Sequence, residues 1–337
     1  MLNKFNFAYI IICENLRKRG QIMKIVVLDG YTVNPGDLSW DWLEEYGDYT
    51  VYERTPENEI LTRCHGADII ITNKTPLGKD ILSQLPDVKF IDLLSTGYNI
   101  TDIYYARERD IPVSNVPAYS TKAVAQLTFA FILQFSSRVA EHSASTTNGD
   151  WQKCEHFCYM VSPLSELAGK TIGIVGYGSI GKEVAKIAEA FSMKVLVNTN
   201  HPAEDTDNLK FCDLDTLLEN SDFITLHCPL TDKTTGMANE EFFSKMKSSA
   251  FFINTSRGAT VDEDALRNAL INEEIAGAGL DVLSSEPPIN DKITSLENTL
   301  VTPHIAWAAK ETRARLMEVT KNNIRSFVNG NPINVVN

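Results

Sequence analysis

From residue 24 almost to the end, short runs of β-branched and aliphatic residues alternate with longer stretches whose apolar positions recur at helical spacing. Runs at 24–28, 49–52, 68–72, 89–94 and 111–114 read as strands. Stretches at 56–64, 78–85 and 101–109 read as helices, the last with Thr101 as its N-cap. Strands separated by helices predict a parallel sheet, because parallel neighbours need a crossover connection. A long helix is then expected over 120–147. Its apolar residues, among them Val124, Leu127, Phe131, Leu133 and Phe135, fall on several faces. Such a helix is buried on several sides, joining two domains or packing on another subunit. After an irregular stretch at 148–169, a second series begins. Its strands are expected at 170–175, 194–197, 223–227, 250–254, 277–282 and 299–302. Its helices fall at 179–191, 213–220, 239–246 and 262–273, with a final helix over 308–328. The expected class is α/β, with two Rossmann-like or flavodoxin-like doubly wound parallel-sheet domains.

Composition narrows the classes of function. The chain has 337 residues, enough for two domains, and a net charge of −13. That surplus of carboxylates disfavours nucleic acid and anionic membranes as partners. The 43% of hydrophobic residues suffices for packed cores. Six scattered cysteines form no disulfide framework, which fits a reduced, cytoplasmic setting. No apolar run approaches the ~20 residues that span a bilayer. Residues 7–13 are apolar like a very short signal segment, but Glu14 and Arg17-Lys18-Arg19 follow where a small-residue cleavage site would stand. Residues 1–22 are therefore expected to be an extension outside the fold, which begins at Met23.

Two constellations carry chemistry. Gly176-Tyr177-Gly178-Ser179-Ile180-Gly181 lies between a predicted strand and a predicted helix. There, Gly176 permits the tight turn, Gly178 lets backbone approach a pyrophosphate, and Gly181 lets helix and strand pack closely. The acidic residue that usually follows some twenty positions on is missing, and Thr199 stands in its place. No Lys or Arg lies between Lys194 and Lys210, and Glu204, Asp205 and Asp207 would repel a 2′-phosphate. NAD is favoured, with NADP open. The second constellation is Arg257, Glu286 and His304, each just past the carboxyl end of a predicted strand. Alone, each has a bland reading: a surface arginine, a loop glutamate, a structural histidine. Together, downstream of a dinucleotide loop, they suit an acid–base site. Arg would hold an anionic or polarised oxygen, His would carry the proton, and Glu would orient the His. A metal site at Cys154, His156 and Cys158 lacks a second ligand pair at usual spacing.

Taken in order, Gly176–Gly181, Asn254-Thr255-Ser256-Arg257-Gly258, Asp281-Val282-Leu283-Ser284-Ser285-Glu286-Pro287-Pro288 and Thr302-Pro303-His304-Ile305-Ala306-Trp307 resemble the D-isomer-specific 2-hydroxyacid dehydrogenases. The similarity runs from about Met23 to Asn337. Ser95-Thr96-Gly97-Tyr98-Asn99 and Asn115-Val116-Pro117-Ala118-Tyr119-Ser120-Thr121 resemble the glycerate dehydrogenase (hydroxypyruvate reductase) subgroup. The resemblance implies a discontinuous substrate domain, 23–118 plus 307–337, an NAD(P)-binding domain at 119–306, and an active site in the cleft between them. It implies that Arg257 holds the carboxylate and carbonyl of a 2-keto acid, and that His304 exchanges the proton. Glu286 would bond His304, and amides around Ser95, Thr96 and Gly97 would cradle the carboxylate. Asp281 would anchor the nicotinamide carboxamide. His227, Cys228, Pro229, Thr121, Thr199, Thr255 and Ser256 would lie along the cofactor, together with the glycine loop, Arg257 and His304. The implied assembly is a homodimer acting on a small 2-keto or 2-hydroxy acid.

Three alternatives stay open. One is another activity of the family, on phosphoglycerate or glyoxylate. A second is formate dehydrogenase, which Glu286 disfavours because Gln is expected there. The third is a dinucleotide-sensing interaction protein on the same fold, although Arg257, Glu286 and His304 are all present.

Overall fold

The computed structural model describes residues 22–289 and 292–337. The expected extension at 1–22 thus falls outside the described residues except for Ile22. The chain divides into two compact units: unit 1 runs up to Tyr119 and resumes over Ala308–Asn337, and unit 2 is Ser120–Trp307.

Unit 1 is a five-stranded parallel sheet of β1 (Met23–Val27), β2 (Gly47–Val51), β3 (Ile69–Thr72), β4 (Phe90–Leu93) and β5 (Val113–Ser114), in the order β2-β1-β3-β4-β5. Its central strands are buried on both faces, as a sheet covered by helices on both sides requires. The terminal helix Lys310–Val328 packs on β4, where Phe327 stacks on Phe90 at 4.5 Å between ring centres. Arg313 of that helix grips Asp37 with two bonds of 2.7 Å. Two local expectations change. The helix expected at 56–64 starts as a 3₁₀ turn, Glu57–Glu59, before Ile60–Cys64 becomes α-helical. The helix Ile103–Glu108 is capped by Asp102, whose carboxylate accepts from Tyr105 N at 2.9 Å, and not by Thr101. Thr101 is instead committed to a bridge with Leu77.

Unit 2 has seven parallel strands: β6 (Thr171–Val175), β7 (Lys194–Asn198), β8 (Leu209–Phe211), β9 (Phe223–Leu226), β10 (Phe251–Asn254), β11 (Gly277–Leu280) and β12 (Thr299–Val301). Their order is β12-β11-β10-β9-β6-β7-β8. Strand β8 was not expected, since three residues at a sheet edge carry too little pattern to register. One face of the sheet is covered by a cluster around Phe243, Phe252 and Leu266, the other by a cluster around Phe129, Ile174 and Val195. The expected single helix over 120–147 is two helices, Thr121–Ser137 and Val139–Thr147, bent by 57°. The break is Arg138, which takes the left-handed conformation (φ 48°, ψ 37°) while its N–H still caps Gln134 O. Helix breaks are normally announced by Gly or Pro, and neither is present here. Among the described residues no single helix is long and apolar enough to cross a membrane.

Both units are doubly wound, and each has one point where the strand order reverses. Ligands of such sheets bind outside the carboxyl ends of strands at that point. In unit 1 the reversal lies between β1 and β3. The crevice there is filled by the chain itself: the Asp29 carboxylate accepts from the backbone N–H groups of Asn73 (2.7 Å), Lys74 (2.5 Å) and Thr75 (2.8 Å). In unit 2 it lies between β6 and β9, and leads directly to the glycine loop.

Candidate active site

In unit 2, six neighbouring strands carry the predicted site residues past their carboxyl ends. Across the sheet these are His304 after β12, Glu286 after β11, Arg257 after β10, His227-Cys228-Pro229 after β9, the glycine loop after β6 and Thr199 after β7.

Gly176 adopts φ +98°, and a Cβ there would lie 2.6 Å from Cys228 N. Only glycine lets the β6 loop pass so close to the β9 loop. A Cβ at Gly181 would lie 2.2 Å from Gly176 O, so this glycine seats the helix Ser179–Ala190 on its own loop. At Gly178 a Cβ would meet nothing within 4 Å, and Gly178 and Ser179 are exposed. Open space therefore lies over a helix N-terminus whose first N–H groups, those of Ser179 and Ile180 among them, have no side-chain cap. That is the environment a pyrophosphate needs. At the neighbouring loop, His227 Nε2 lies 3.0 Å from Thr225 Oγ1. Its Nδ1 is shielded from solvent and meets no hydrogen-bond partner. Burial lowers the His227 pKa to about 3, so the ring is neutral. An orphaned ring nitrogen beside an open glycine cradle fits a polar cofactor. Cys228 is a different matter: burial pushes its thiol up, and Sγ lies 3.7 Å from Met237 Sδ. It is no thiolate nucleophile. Thr199 Oγ1 accepts from His201 N at 3.3 Å, a local turn just after β7.

The acid–base end is built by two buried organisers. Asn254, fully buried, donates from Nδ2 to Arg257 O (2.9 Å). Its Oδ1 accepts from Ser256 N (2.9 Å) and Ser256 Oγ (2.8 Å). This fixes the backbone of residues 254–257, while the Arg257 side chain stays exposed, with its NH1 on Ser256 O at 2.7 Å. Thr255 points inward to Thr128 Oγ1 at 3.2 Å. Asp281, 1% exposed, accepts from Thr302 Oγ1 (2.6 Å), Ile305 N (2.8 Å) and Ala306 N (2.8 Å). Burial pushes its carboxyl up, and these donors and His304 pull it back. The job visible for Asp281 is thus to hold the loop that carries His304. His304 itself sits at φ +52°, a strained conformation for a non-glycine residue, and its N–H bonds Asp281 O at 2.9 Å.

His304 Nδ1 meets Glu286 Oε2 at 2.6 Å, and Glu286 Oε1 accepts from Leu283 N at 3.2 Å. With Nδ1 engaged by a carboxylate, Nε2 is the nitrogen available for proton exchange. The two side chains are 25% and 35% exposed, so a small substrate can reach them. Gly258 brings the Arg257 and Glu286 loops together: a Cβ there would lie 1.9 Å from Leu283 C. Asn254 and Gly258 are the functional residues that sequence reasoning passed over. Both stood in the quoted Asn254–Gly258 motif, and a polar Asn closing an apolar strand was the available signal.

In unit 1, Thr96 is exposed at the carboxyl end of β4, with Ser95 and Gly97 half-buried beside it. Ser95 Oγ donates to Gly97 O (2.6 Å), and Val116 N donates to Ser95 O (3.0 Å). Thr121 is the first residue of the helix Thr121–Ser137 in unit 2. Among the described residues, no three His, Cys, Asp or Glu side chains gather as metal ligands.

Residues 129–306 match the NAD-binding domain of D-isomer specific 2-hydroxyacid dehydrogenases. The chain belongs to this family. It is 44% identical to a hydroxypyruvate reductase of Blautia hydrogenotrophica over 94% of its own length and all of that protein. It is 40% identical to a glycerate dehydrogenase of Methylorubrum extorquens, covering 93% of this chain and 98% of that one. Among solved structures, an acyclic imino acid reductase in complex with NADPH and D-Arg superposes with a TM-score of 0.81 at 34% identity. That match covers 94% of this chain and 100% of the other. The cofactor class is therefore NAD(P).

Proposed function

We propose that the chain is an NAD-dependent hydroxypyruvate reductase, or glycerate dehydrogenase, interconverting a 2-keto acid and its D-2-hydroxy acid. The observation that carries the reading is the Glu286–His304 pair at 2.6 Å, held at the sheet edge that also carries Arg257 and the glycine cradle. Bound NADH supplies the hydride that arrives at C2. The rest falls to the chain. His304 Nε2 gives its proton to the carbonyl oxygen as C2 is reduced and takes it back in the reverse direction. Glu286 keeps the ring oriented through Nδ1. The Arg257 guanidinium grips the carboxylate bidentately, which a lysine cannot do. In unit 1, the backbone amides of Thr96 and Gly97 are read as a carboxylate-binding loop.

NAD is favoured over NADP because Glu204, Asp205 and Asp207 follow Thr199 with no Lys or Arg between Lys194 and Lys210. Hydroxypyruvate is favoured by the names of the Blautia hydrogenotrophica and Methylorubrum extorquens relatives. The test is a panel of hydroxypyruvate, glyoxylate and pyruvate, assayed with NADH and NADPH side by side. The expected ranking puts hydroxypyruvate with NADH first. A folded protein that binds NADH but turns over no 2-keto acid would sink the reading in favour of a dinucleotide-sensing protein.

The same reading includes a cytoplasmic homodimer. The five described cysteines are free. Val139, Trp151, Phe157, Met160, Val161 and Leu164 present exposed apolar side chains along one stretch of unit 2, more than a monomer ordinarily leaves in water. Sedimentation should give twice the chain mass of 37.6 kDa. A monomer at micromolar concentration would contradict this part alone.

A further inference from the structure

Asp92 lies on β4, three residues before the Ser95-Thr96-Gly97 loop, and is fully buried. It faces the same way as Phe90, toward the terminal helix. An apolar side chain would serve packing there better, because an incompletely bonded carboxyl in a core is costly. Its Oδ2 indeed meets no hydrogen-bond partner. What Asp92 does have is a chain of contacts leading to the loop. Its Oδ1 accepts from Asn323 Nδ2 at 2.7 Å, and the same nitrogen donates to Asn115 O at 3.0 Å. Asn323 Oδ1 accepts from Asn334 Nδ2 at 2.8 Å, which fixes the amide's orientation. Asn115 Nδ2 then donates to Thr96 O at 2.8 Å.

The consequence follows from the peptide bond. Ser95 O is held by Val116 N, and Thr96 O by Asn115 Nδ2. In a trans peptide the following N–H points opposite to the carbonyl. Pinning both carbonyls on residues 115 and 116 therefore turns the N–H groups of Thr96 and Gly97 away from that segment. Neighbouring N–H groups turned outward in this way form an anion cradle.

We propose that Asp92 is a positioning residue for binding of the substrate carboxylate, acting through Asn323 and Asn115 on the backbone of residues 95–97. This rests on reading that loop as the carboxylate cradle. Burial pushes the Asp92 carboxyl well above its ordinary range, while the Asn323 amide pulls it down. What the network asks of this side chain is an acceptor oxygen for Asn323.

The test compares Asp92→Leu, which keeps the volume and removes the acceptor, with Asp92→Asn, which keeps an acceptor oxygen. Asp92→Leu should raise KM for hydroxypyruvate about tenfold, the loss of one hydrogen bond's worth of binding, and change kcat far less. The NADH Kd, read by fluorescence titration, should not move. Asp92→Asn should restore KM to within about twofold. Asn115→Ala breaks the next link and carries the test should Asp92→Leu fail to fold; it should raise KM alike. Combined with Asp92→Leu, it should add less than its separate effect. A folded Asp92→Leu or Asn115→Ala with wild-type KM overturns the inference. So does a parallel loss of NADH affinity, which would mark a general structural role. Gly97→Pro, which deletes a cradle N–H, separates the two levels. If it raises KM while Asp92→Leu does not, the cradle stands and the Asp92 inference falls. If neither Gly97→Pro nor Asp92→Leu changes KM, the reading of the loop falls and takes the inference with it.

Discussion

The two units share a plan and differ at the one place where that plan offers a binding site. Each is a doubly wound parallel sheet with a single reversal of strand order. In unit 1 the crevice at the reversal is plugged by the Asp29 carboxylate, which takes three backbone N–H groups of the facing loop. In unit 2 the corresponding loop has glycines, and the helix N-terminus behind it faces open space at Gly178. Topology thus supplies a crevice in both, and side chains decide whether it is closed by the chain or left for a ligand. An anion sits against backbone N–H groups in unit 1 already. In unit 2 that anion has to be brought in.

Substitutions at the two crevices should fail in different ways. Gly176→Ala forces a Cβ to 2.6 Å from Cys228 N at a φ of +98°. NADH affinity should fall more than about a hundredfold, with roughly 2–4 kcal/mol lost from unit 2, as strain and overpacking together imply. Unaltered NADH titration would show that the loop yields and does not bear on the cofactor. Asp29→Ala should act on unit 1 alone. Three N–H groups lose their acceptor, which costs about 2–4 kcal/mol in denaturant unfolding. The NADH Kd should stay as it was. A shared loss would mean that the contrast between the crevices is false.

A smaller pair of effects distinguishes the units by pH. His227 in unit 2 stays neutral down to about pH 3, whereas in the unfolded chain it takes a proton near its ordinary value. The unfolded state therefore binds more protons below about pH 6.5, and unit 2 loses stability as pH falls through that window. His227→Gln should flatten this slope, by about 1–3 kcal/mol between pH 6.5 and 4. Asp92 in unit 1 has the opposite sign. Its raised folded pKa means that stability is full below the ordinary carboxyl range and falls as pH rises toward the folded value. Asp92→Asn should stabilise unit 1 at pH 7 more than at pH 4, read as the shift in unfolding midpoint at each pH. Equal shifts at both would mean that the carboxyl titrates normally.

The alternation of strands and helices was legible in the sequence because it is a matter of local period. So was the placement of Arg257, Glu286 and His304 just past the carboxyl ends of neighbouring strands, where an α/β sheet presents its ligand-binding loops. What escaped was set by contacts distant in sequence. Arg138 breaks a helix without Gly or Pro, and β8 exists only because Val195 and Val197 offer it an edge. Asp102 caps its helix in place of Thr101, beside a backbone bridge from Leu77 to Ile100 and Asp102. At the site, Asn254 and Gly258 organise loops through bonds and close approaches, and Asp281, expected as a cofactor contact, holds a loop whose partners lie up to 25 residues away. Asp92 reaches across 231 positions to Asn323, a pairing that no local pattern reveals.

The most direct measurement is the kinetic and binding comparison of His304→Gln with the unaltered chain, using hydroxypyruvate and NADH. Removing the proton donor while keeping the size should lower kcat about 10²- to 10⁴-fold, the usual worth of general acid–base catalysis. The NADH Kd should stay within about twofold, since the cofactor cradle is held by the glycine loop. Comparable losses in turnover and in NADH affinity would make His304 a structural residue, and the proton-transfer account would be wrong.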